Sequence, residues 1–474
     1  MANTPAQSFG LDQVNVSFLD TRKTLPLVIS PRWDDSLQFI CKWLEINRSW
    51  VDDQILHYGA VLVRGFEVDS AVDFEKAVLA LQPNLCDEYR GTSPRTLREG
   101  TQFAFNAADV PTNYPIAQHL EMSFLRSPPR QLYFGCMKAS RSAGGETALC
   151  DFRKVYQDLS PELREKFATK KIKYTRKHLM VGEKWTYDVG AMLGWPQLFG
   201  TEDLDEVEEI CLQEQAPKVT WVGKNKDTFL QEWIDEPYQR HPVTNEMVWF
   251  NHTNVFHWTT FPAELWFAFR RFNDIRFLVH CILIAIFTCI KYGILGYKMA
   301  LNSTFGDGTP ITFQEMNEVR AAVHKHMIFS RWQKGDILCI DNFSTSHGRQ
   351  PTYDKGRSVC VAWSQPFDKT STPLHAAEPA TAAVSSTTTN KTEALYNNNK
   401  GGKDVPELVE SPDSSPDSTL NNQELNDLRE SFLSDQFGEE LVKAFKKVED
   451  AKTHRRFAST PDLLRRDSDF WKNN

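Results

Sequence analysis

Two metal-binding residue types stand two positions apart in the segment Pro115-Ile-Ala-Gln-His119-Leu120-Glu121. In a strand, side chains two apart project from one face, so His119 and Glu121 would point together. An imidazole beside a carboxylate supplies two of the three ligands of a 2-His-1-carboxylate facial triad, the arrangement of non-haem Fe(II) oxygenases. Most His-x-Glu pairs are surface accidents, so a third ligand is needed before this one carries meaning. Asp341-Asn-Phe-Ser-Thr-Ser-His347-Gly-Arg349 offers it, directly after the apolar run GDILCID. A long separation between ligands is expected when they come from neighbouring strands. The competing account of His347 is a loop histidine satisfied by backbone.

Arg357 opens the run RSVCVAWS. A guanidinium entering an apolar strand is costly unless something anionic neutralises it. A structural carboxylate is the plainer partner; the functional one is a small dicarboxylate, whose geometry a guanidinium fork matches better than an ammonium does. Gly144-Gly145-Glu146-Thr147 precedes another apolar run. Its glycines permit close backbone approach, and the Thr147 hydroxyl could donate to the same anion.

The elements that must position these residues read as strands mixed with helices. YGAVLVRGF (58–66), RQLYFGCMK (130–138), EMVWFNH (246–252), GDILCID (335–341) and RSVCVAWS (357–364) have strand character. SAVDFEKAVLALQ (70–82) has helical spacing after a Ser cap. Ser160-Pro161-Glu162 is a cap followed by a first-turn proline, and Thr312-Phe-Gln-Glu315 is a capping box. There is no βαβ regularity, so the expected fold is mostly β with surrounding helices (α+β), built on a double-stranded β-helix, or jelly roll.

The 474 residues divide into an N-terminal extension (1–24), a catalytic-type domain (25–368), and a linker (369–421) too rich in Ser, Thr, Pro and Asn to fold; a tail (422–474) with one amphipathic helix follows. A net charge of −8 argues against nucleic-acid binding driven by phosphate contacts. Nine scattered cysteines include no CxxC, which argues against a structural zinc site and a disulfide scaffold. The N-terminus lacks a secretory pattern, so a reduced, cytoplasmic setting is expected. One segment conflicts with a soluble chain: FLVHCILIAIFTCI (277–290), continued to 301, is the most hydrophobic run. A span needs roughly 20 apolar residues, and a single span here would put His119 and His347 on opposite sides of a membrane. A buried or cavity-covering helix is the first expectation for 277–301, and interfacial membrane contact the second.

The ordered motifs SPPRQLYF, GGET, NHTNVF, FGDGTPI, WQKGD, DNFSTSHGRQP and GRSVCVAW resemble the taurine dioxygenase-like (TauD/TfdA) family, in particular its clavaminate-synthase-like branch. The likeness runs from PLVISP (26–31) to AWSQPF (362–367). It implies a jelly roll using Fe(II), 2-oxoglutarate and O2, with His119, Glu121 and His347 as iron ligands and Thr147 and Arg357 on 2-oxoglutarate. It also implies hydroxylation of a small organic metabolite with release of succinate and CO2. Many members have Asp where this chain has Glu121, although the branch it resembles also uses Glu. Val361 stands where taurine-specific members carry a second Arg, which speaks against a sulfonate substrate. The zinc module of the carnitine-pathway hydroxylases has no counterpart here.

Two other functions fit the same residues: a non-catalytic jelly-roll binding protein, and a desaturase or cyclase using the same iron centre. Asn106, Asn251 and Trp195 (the last as part of a lid within 180–215) are candidates for contact with substrate, each weighed about equally against a packing or turn role. Ser459 and Ser468 follow paired arginines, as basophilic kinases prefer. Nothing in the sequence specifies the oligomeric state.

Overall fold

The computed structural model describes residues 9–369, apart from 21–22, 88, 90, 92–94, 181–193, 214–215 and 224. The expected linker beyond Lys369, the C-terminal tail, Ser459 and Ser468 lie outside the described residues.

The largest sheet has seven strands in the order β1 (Val14–Asp20), β2 (Lys23–Pro31), β3 (Ala60–Val63), β15 (Ile337–Asp341), β6 (Gln131–Lys138), β17 (Ser358–Trp363) and β4 (Phe105–Asn106). β1 falls within the segment 1–24 expected to be an extension; antiparallel pairing with β2 joins it to the sheet. All pairs are antiparallel except β2 with β3, which are bridged by helices α1 (Leu37–Ile46) and α2 (Arg48–Tyr58). A second sheet has the order β14 (Met327–Ile328), β7 (Thr147–Asp151), β16 (Thr345–Arg349) and β5 (Ile116–His119). These two sheets form the jelly roll. A third sheet, β13 (Leu301–Phe305), β8 (Ile172–Leu179), β10 (Thr228–Asp235) and β9 (Val219–Val222), and a ribbon of β11 (Gln239–Arg240) with β12 (Met247–Val248) extend it.

The apolar runs are continuous because the seven-stranded sheet is covered on both faces. Along β15, Ile337 and Cys339 face one way and pack under α1 and α3 (Ala71–Leu81) with Phe39, Trp43 and Phe74. Leu338 and Ile340 face the other sheet and meet Leu132, Phe134 and Leu149. Each such side chain contributes roughly 1.5–3 kcal/mol of burial free energy. Behind the second sheet, α4 (Phe152–Asp158), α5 (Pro161–Lys170) and α10 (Phe313–His326) enclose a third cluster around Phe167, Trp249 and Phe305. Two short helices, α6 (Trp195–Phe199) and α7 (Leu204–Gln213), pack on the third sheet.

The caps read from sequence are present. Ser70 and Ser160 accept from backbone N–H groups at α3 and α5, and Thr312 with Glu315 forms a reciprocal capping box on α10. The run 246–252 is different: only Met247–Val248 is strand. Beyond it, Trp249 bonds to the Phe152 carbonyl and Asn251 closes a local turn, so the remaining backbone has no ladder partner.

α8 (Thr260–Phe272) leads into α9 (Ile275–Thr288), which a π-turn (Cys289–Ile294) prolongs. Phe277 and Cys281 of α9 pack against Leu265, Trp266 and Ala268 of α8. Beside this packed face, Leu283, Ile284 and Phe287 of α9 wall a cavity, and an adjoining face looks outward.

Candidate active site

β16 lies between β7 and β5, and His347 stands directly opposite His119 in the antiparallel register. Directly opposed residues share a face at close range, so the two imidazoles meet, with ring centroids 4.4 Å apart. His347 is therefore a strand residue, not a loop residue: the turn after β15 is short enough for the chain to re-enter the sheet at Thr345. Glu121 departs from expectation in the other direction. β5 ends at His119, and Glu121 sits in the turn that follows. What fixes it is Asn342. The Asn342 side chain accepts from the Glu121 N–H at 2.7 Å, and its amide donates to the Glu121 carbonyl at 3.0 Å and the Pro129 carbonyl at 2.8 Å. One buried amide thus stands in for the missing neighbouring strand.

The result is a compact donor set. One ligand atom each from His119, Glu121 and His347 lies within 4.8 Å of the others, and all three residues are buried. Glu121 Oε2 is 3.8 Å from His119 Nε2 and 3.5 Å from His347 Nε2. Donors around a divalent ion at roughly 2.1 Å stand roughly 3 Å apart, so the set fits a metal. His119 Nδ1 is 2.9 Å from the Ala117 carbonyl. A carbonyl only accepts, so that nitrogen carries the proton and Nε2 presents its lone pair to the centre.

Electrostatics hold the set ready. Burial, and then the neighbouring His119, push the His347 imidazole down to about 4, which keeps it neutral and able to ligate. Burial works to raise Glu121, but Arg95, whose guanidinium donates to Oε2 at 2.8 Å, holds it well below the usual carboxylate range. Tyr89 donates to the other oxygen at 3.2 Å, and Arg95 lies over the Tyr89 ring at 4.6 Å. Arg95, Tyr89 and Asn342 support the carboxylate and carry no sequence signal, because nothing in their local pattern marks them.

The donors line a cavity of about 580 Å³, whose walls include Phe124, Phe134, Val255, Phe261, Ile284 and Phe287. Thr147, Arg349 and Arg357 also line it. Arg357 Nε donates to the Gly145 carbonyl at 2.5 Å, and no carboxylate pairs with Arg357 among the described residues. The carboxylate next in sequence to Gly145, Glu146, is instead held by Arg271 of α8 at 2.8 Å. Burial pushes Arg357 down to about 10 and Arg349 to about 9, and the charge of Arg357 adds to the fall at Arg349. Two cations, neither in an ion pair with a carboxylate among the described residues, make this part of the cavity attractive to an anion. Arg349, which no local pattern marks in the sequence, donates to the carbonyls of Val110, Pro111 and Tyr114 and so pins that loop to the cavity rim. The close approach expected at the glycine pair is real: Gly144 and Gly145 have φ of +83° and +82°, and a Cβ on Gly145 would lie 3.2 Å from Arg357 Cδ.

The three residues proposed to touch substrate lie elsewhere. Asn106 bonds with Arg98 and Asp109; Asn251 bonds to the Pro237 carbonyl and to Thr253; Trp195 is buried and donates to the Asp227 carbonyl. None of the three lines the cavity. Their polar groups are engaged in holding loops and in packing. His252, from the NHTNVF motif, does line it, 5.3 Å from the His119 ring.

Two imidazoles on adjoining strands of a jelly roll, with a carboxylate from the turn that follows one of them, define the class of non-haem iron oxygenases. A sequence model of the taurine catabolism dioxygenase TauD, TfdA family matches residues 23–363, and the chain belongs to this family. It is accordingly an oxidoreductase, an Fe(II)- and 2-oxoglutarate-dependent dioxygenase. The chain is 28% identical over 318 residues to the dapdiamide synthesis protein DdaC of Enterobacter agglomerans, covering 67% of this chain and 85% of that protein. It is 27% identical over 350 residues to a clavaminate synthase-like protein of Arabidopsis thaliana, covering 72% and 93%. Among solved structures, PvcB, an Fe, alpha-ketoglutarate dependent oxygenase from an isonitrile synthetic pathway, aligns with a TM-score of 0.40 at 12% identity, covering 75% of this chain and 93% of that one.

Proposed function

We propose that this dioxygenase hydroxylates a small organic molecule, with Fe(II) held by His119, Glu121 and His347 and the distal carboxylate of 2-oxoglutarate held by Arg357 and Thr147. The observation that carries this reading is the pairing, in one cavity, of an imidazole and carboxylate donor set with a guanidinium that has no carboxylate ion-pair partner among the described residues. Bound there, Fe(II) supplies the redox chemistry by which 2-oxoglutarate and O2 become succinate and CO2 while a substrate C–H bond becomes C–OH.

The chain's own residues prepare that chemistry. Ala117 fixes the His119 tautomer, Asn342 fixes the Glu121 backbone, and Arg95 with Tyr89 orients its carboxylate. Arg357 draws in an anion and orients it, since a planar fork meets a carboxylate in one arrangement. The aromatic and aliphatic walls limit water beside the reacting C–H bond and favour an apolar substrate surface.

The test is succinate release by full-length protein supplied with Fe(II), ascorbate and 2-oxoglutarate, with Glu121→Ala as control. Slow release without added substrate, abolished in the variant, is expected. No release under conditions where the metal binds would favour the non-catalytic binding protein. In a metabolite screen, a product gaining one oxygen supports hydroxylation; a product losing two hydrogens overturns it in favour of desaturation or cyclisation.

A further inference from the structure

The helix that walls the cavity carries a second surface. Ile275–Ile294 is 20 residues long and apolar enough by length and composition to cross a membrane, yet only 33% of its most apolar stretch is buried. A core helix would be mostly covered. Val279, Ile282, Leu283, Ile286, Ile290 and Ile294 are 41–59% exposed and recur at steps of three and four, so they form one continuous outward stripe. Leu295 and Tyr297 extend it and are more than half exposed. So large an aliphatic face is unusual on a protein surrounded by water.

We propose that this stripe seats the protein on a phospholipid bilayer, with the helix lying flat in the boundary between headgroups and acyl chains. Its charges suit that partner. From Ile275 to Lys298 there is no Asp or Glu, whereas Arg276 stands near one end and Lys291 and Lys298 near the other. The neighbouring acid, Asp274, caps the helix and is paired with Arg276. Long cationic side chains at the ends of an apolar stripe reach headgroup phosphates, and Tyr297 has the amphipathic ring that favours the same depth. Spanning is ruled out by the chain on either side: α8 packs against the helix, and β13, just after it, pairs with β8. Both ends belong to one domain, so the helix can only lie on its surface.

A second copy of the chain fits this face less well. Protein interfaces carry about one hydrogen bond per 100–200 Å², and of the exposed side chains of the stripe only Tyr297, at its end, has one to offer. Acyl chains require none. The cavity also adjoins this face: Leu283 belongs to both the stripe and the cavity wall, and Ile284 and Phe287 line the interior. Taken with the proposed function, that contact gives a lipid-soluble substrate a short path from the bilayer to the site.

The test is co-sedimentation of full-length protein with phosphatidylcholine vesicles, with and without phosphatidylserine. Wild type is expected to pellet with both, more strongly with phosphatidylserine, and salt should remove only that increment. The combined variant Val279→Ser, Ile282→Ser, Ile286→Ser, Ile290→Ser, none of which lines the cavity, should lose more than about a hundredfold in partitioning, because each change removes buried apolar area worth roughly tenfold. Ile286→Ser alone, too small a change to unfold the domain, should lose about tenfold. Succinate release without added substrate should stay at the wild-type level in both. Wild type that pellets with neither vesicle overturns the proposal. So does binding that survives the fourfold change, or a dimer in light scattering that the change dissociates without any effect on vesicles. Absent succinate release with intact sedimentation would instead sink the oxygenase assignment and leave the docking surface standing.

Discussion

Replacing Arg357 by Met sets two consequences of one side chain against each other. Without an anion, the guanidinium is a partly buried cation that burial pushes from its ordinary 12.5 down to about 10. That fall corresponds to roughly 3 kcal/mol against the charged form, which residual solvent contact reduces to about 1–2 kcal/mol. Met removes this penalty. It also removes the bond from Nε to the Gly145 carbonyl, worth about 1 kcal/mol. The stability of the ligand-free variant should therefore stay within about 1 kcal/mol of wild type in chemical denaturation. Cosubstrate binding should respond very differently. A bidentate, charge-assisted contact contributes about 3–5 kcal/mol, so the dissociation constant for 2-oxoglutarate should rise roughly 10²–10³-fold or more. Arg357→Lys keeps a charge without the fork and should fall between the two. The assay is thermal stabilisation by titrated 2-oxoglutarate with Mn(II) under anaerobic conditions. Wild-type affinity in Arg357→Met would refute the cosubstrate role. Ligand-free destabilisation beyond about 3 kcal/mol would show instead that the arginine has a structural partner.

Four further outcomes follow from the same geometry. Glu121→Ala and His347→Ala should each weaken Mn(II) or Fe(II) binding by more than the roughly hundredfold typical of a supporting residue, measured by competition with a chelating dye. Asn342→Ala removes three hydrogen bonds that hold Glu121 and Pro129, and should cost about 2–4 kcal/mol in denaturation as well as 10–100-fold in metal affinity; unchanged affinity would separate Glu121 from its support. Burial raises Glu146, but Arg271 overcomes it and holds the carboxyl below 4.5, so the pair stabilises the fold above that value and its contribution fades as pH falls through the lower folded value. Glu146→Gln should accordingly be destabilised by about 3 kcal/mol at neutral pH, and the gap to wild type should narrow below about pH 4 in denaturation series. Gly348→Ala places a Cβ 2.6 Å from the Ile116 carbonyl, across the strand pair that carries both histidines, and should lower the melting temperature and metal affinity together.

The legible parts of this protein were those whose physics is local. Short continuous apolar runs, Ser and Thr caps and a glycine pair before a strand each report a backbone state within a few residues, and the strands of the jelly roll, the caps of α3, α5 and α10 and the left-handed glycines follow them. The donor set could be read because its members are chemically rare types in ordered motifs. Glu121 is not aimed by strand alternation, since β5 stops at His119; it is aimed by an amide arriving from the turn after β15. That contact joins segments far apart in sequence, and no local period announces it. Asn106, Asn251 and Trp195 show the converse. Their types suit substrate contact, but an asparagine satisfied by its own loop and an indole donating to a carbonyl look the same in sequence as ones that face a ligand. The segment 277–301 is ambiguous in sequence for a physical reason: a cavity-walling face and an outward apolar face both demand apolar residues, and α9 carries the two side by side, with Leu283 belonging to both. Composition reports only their sum, and the fold is what divides it into two faces.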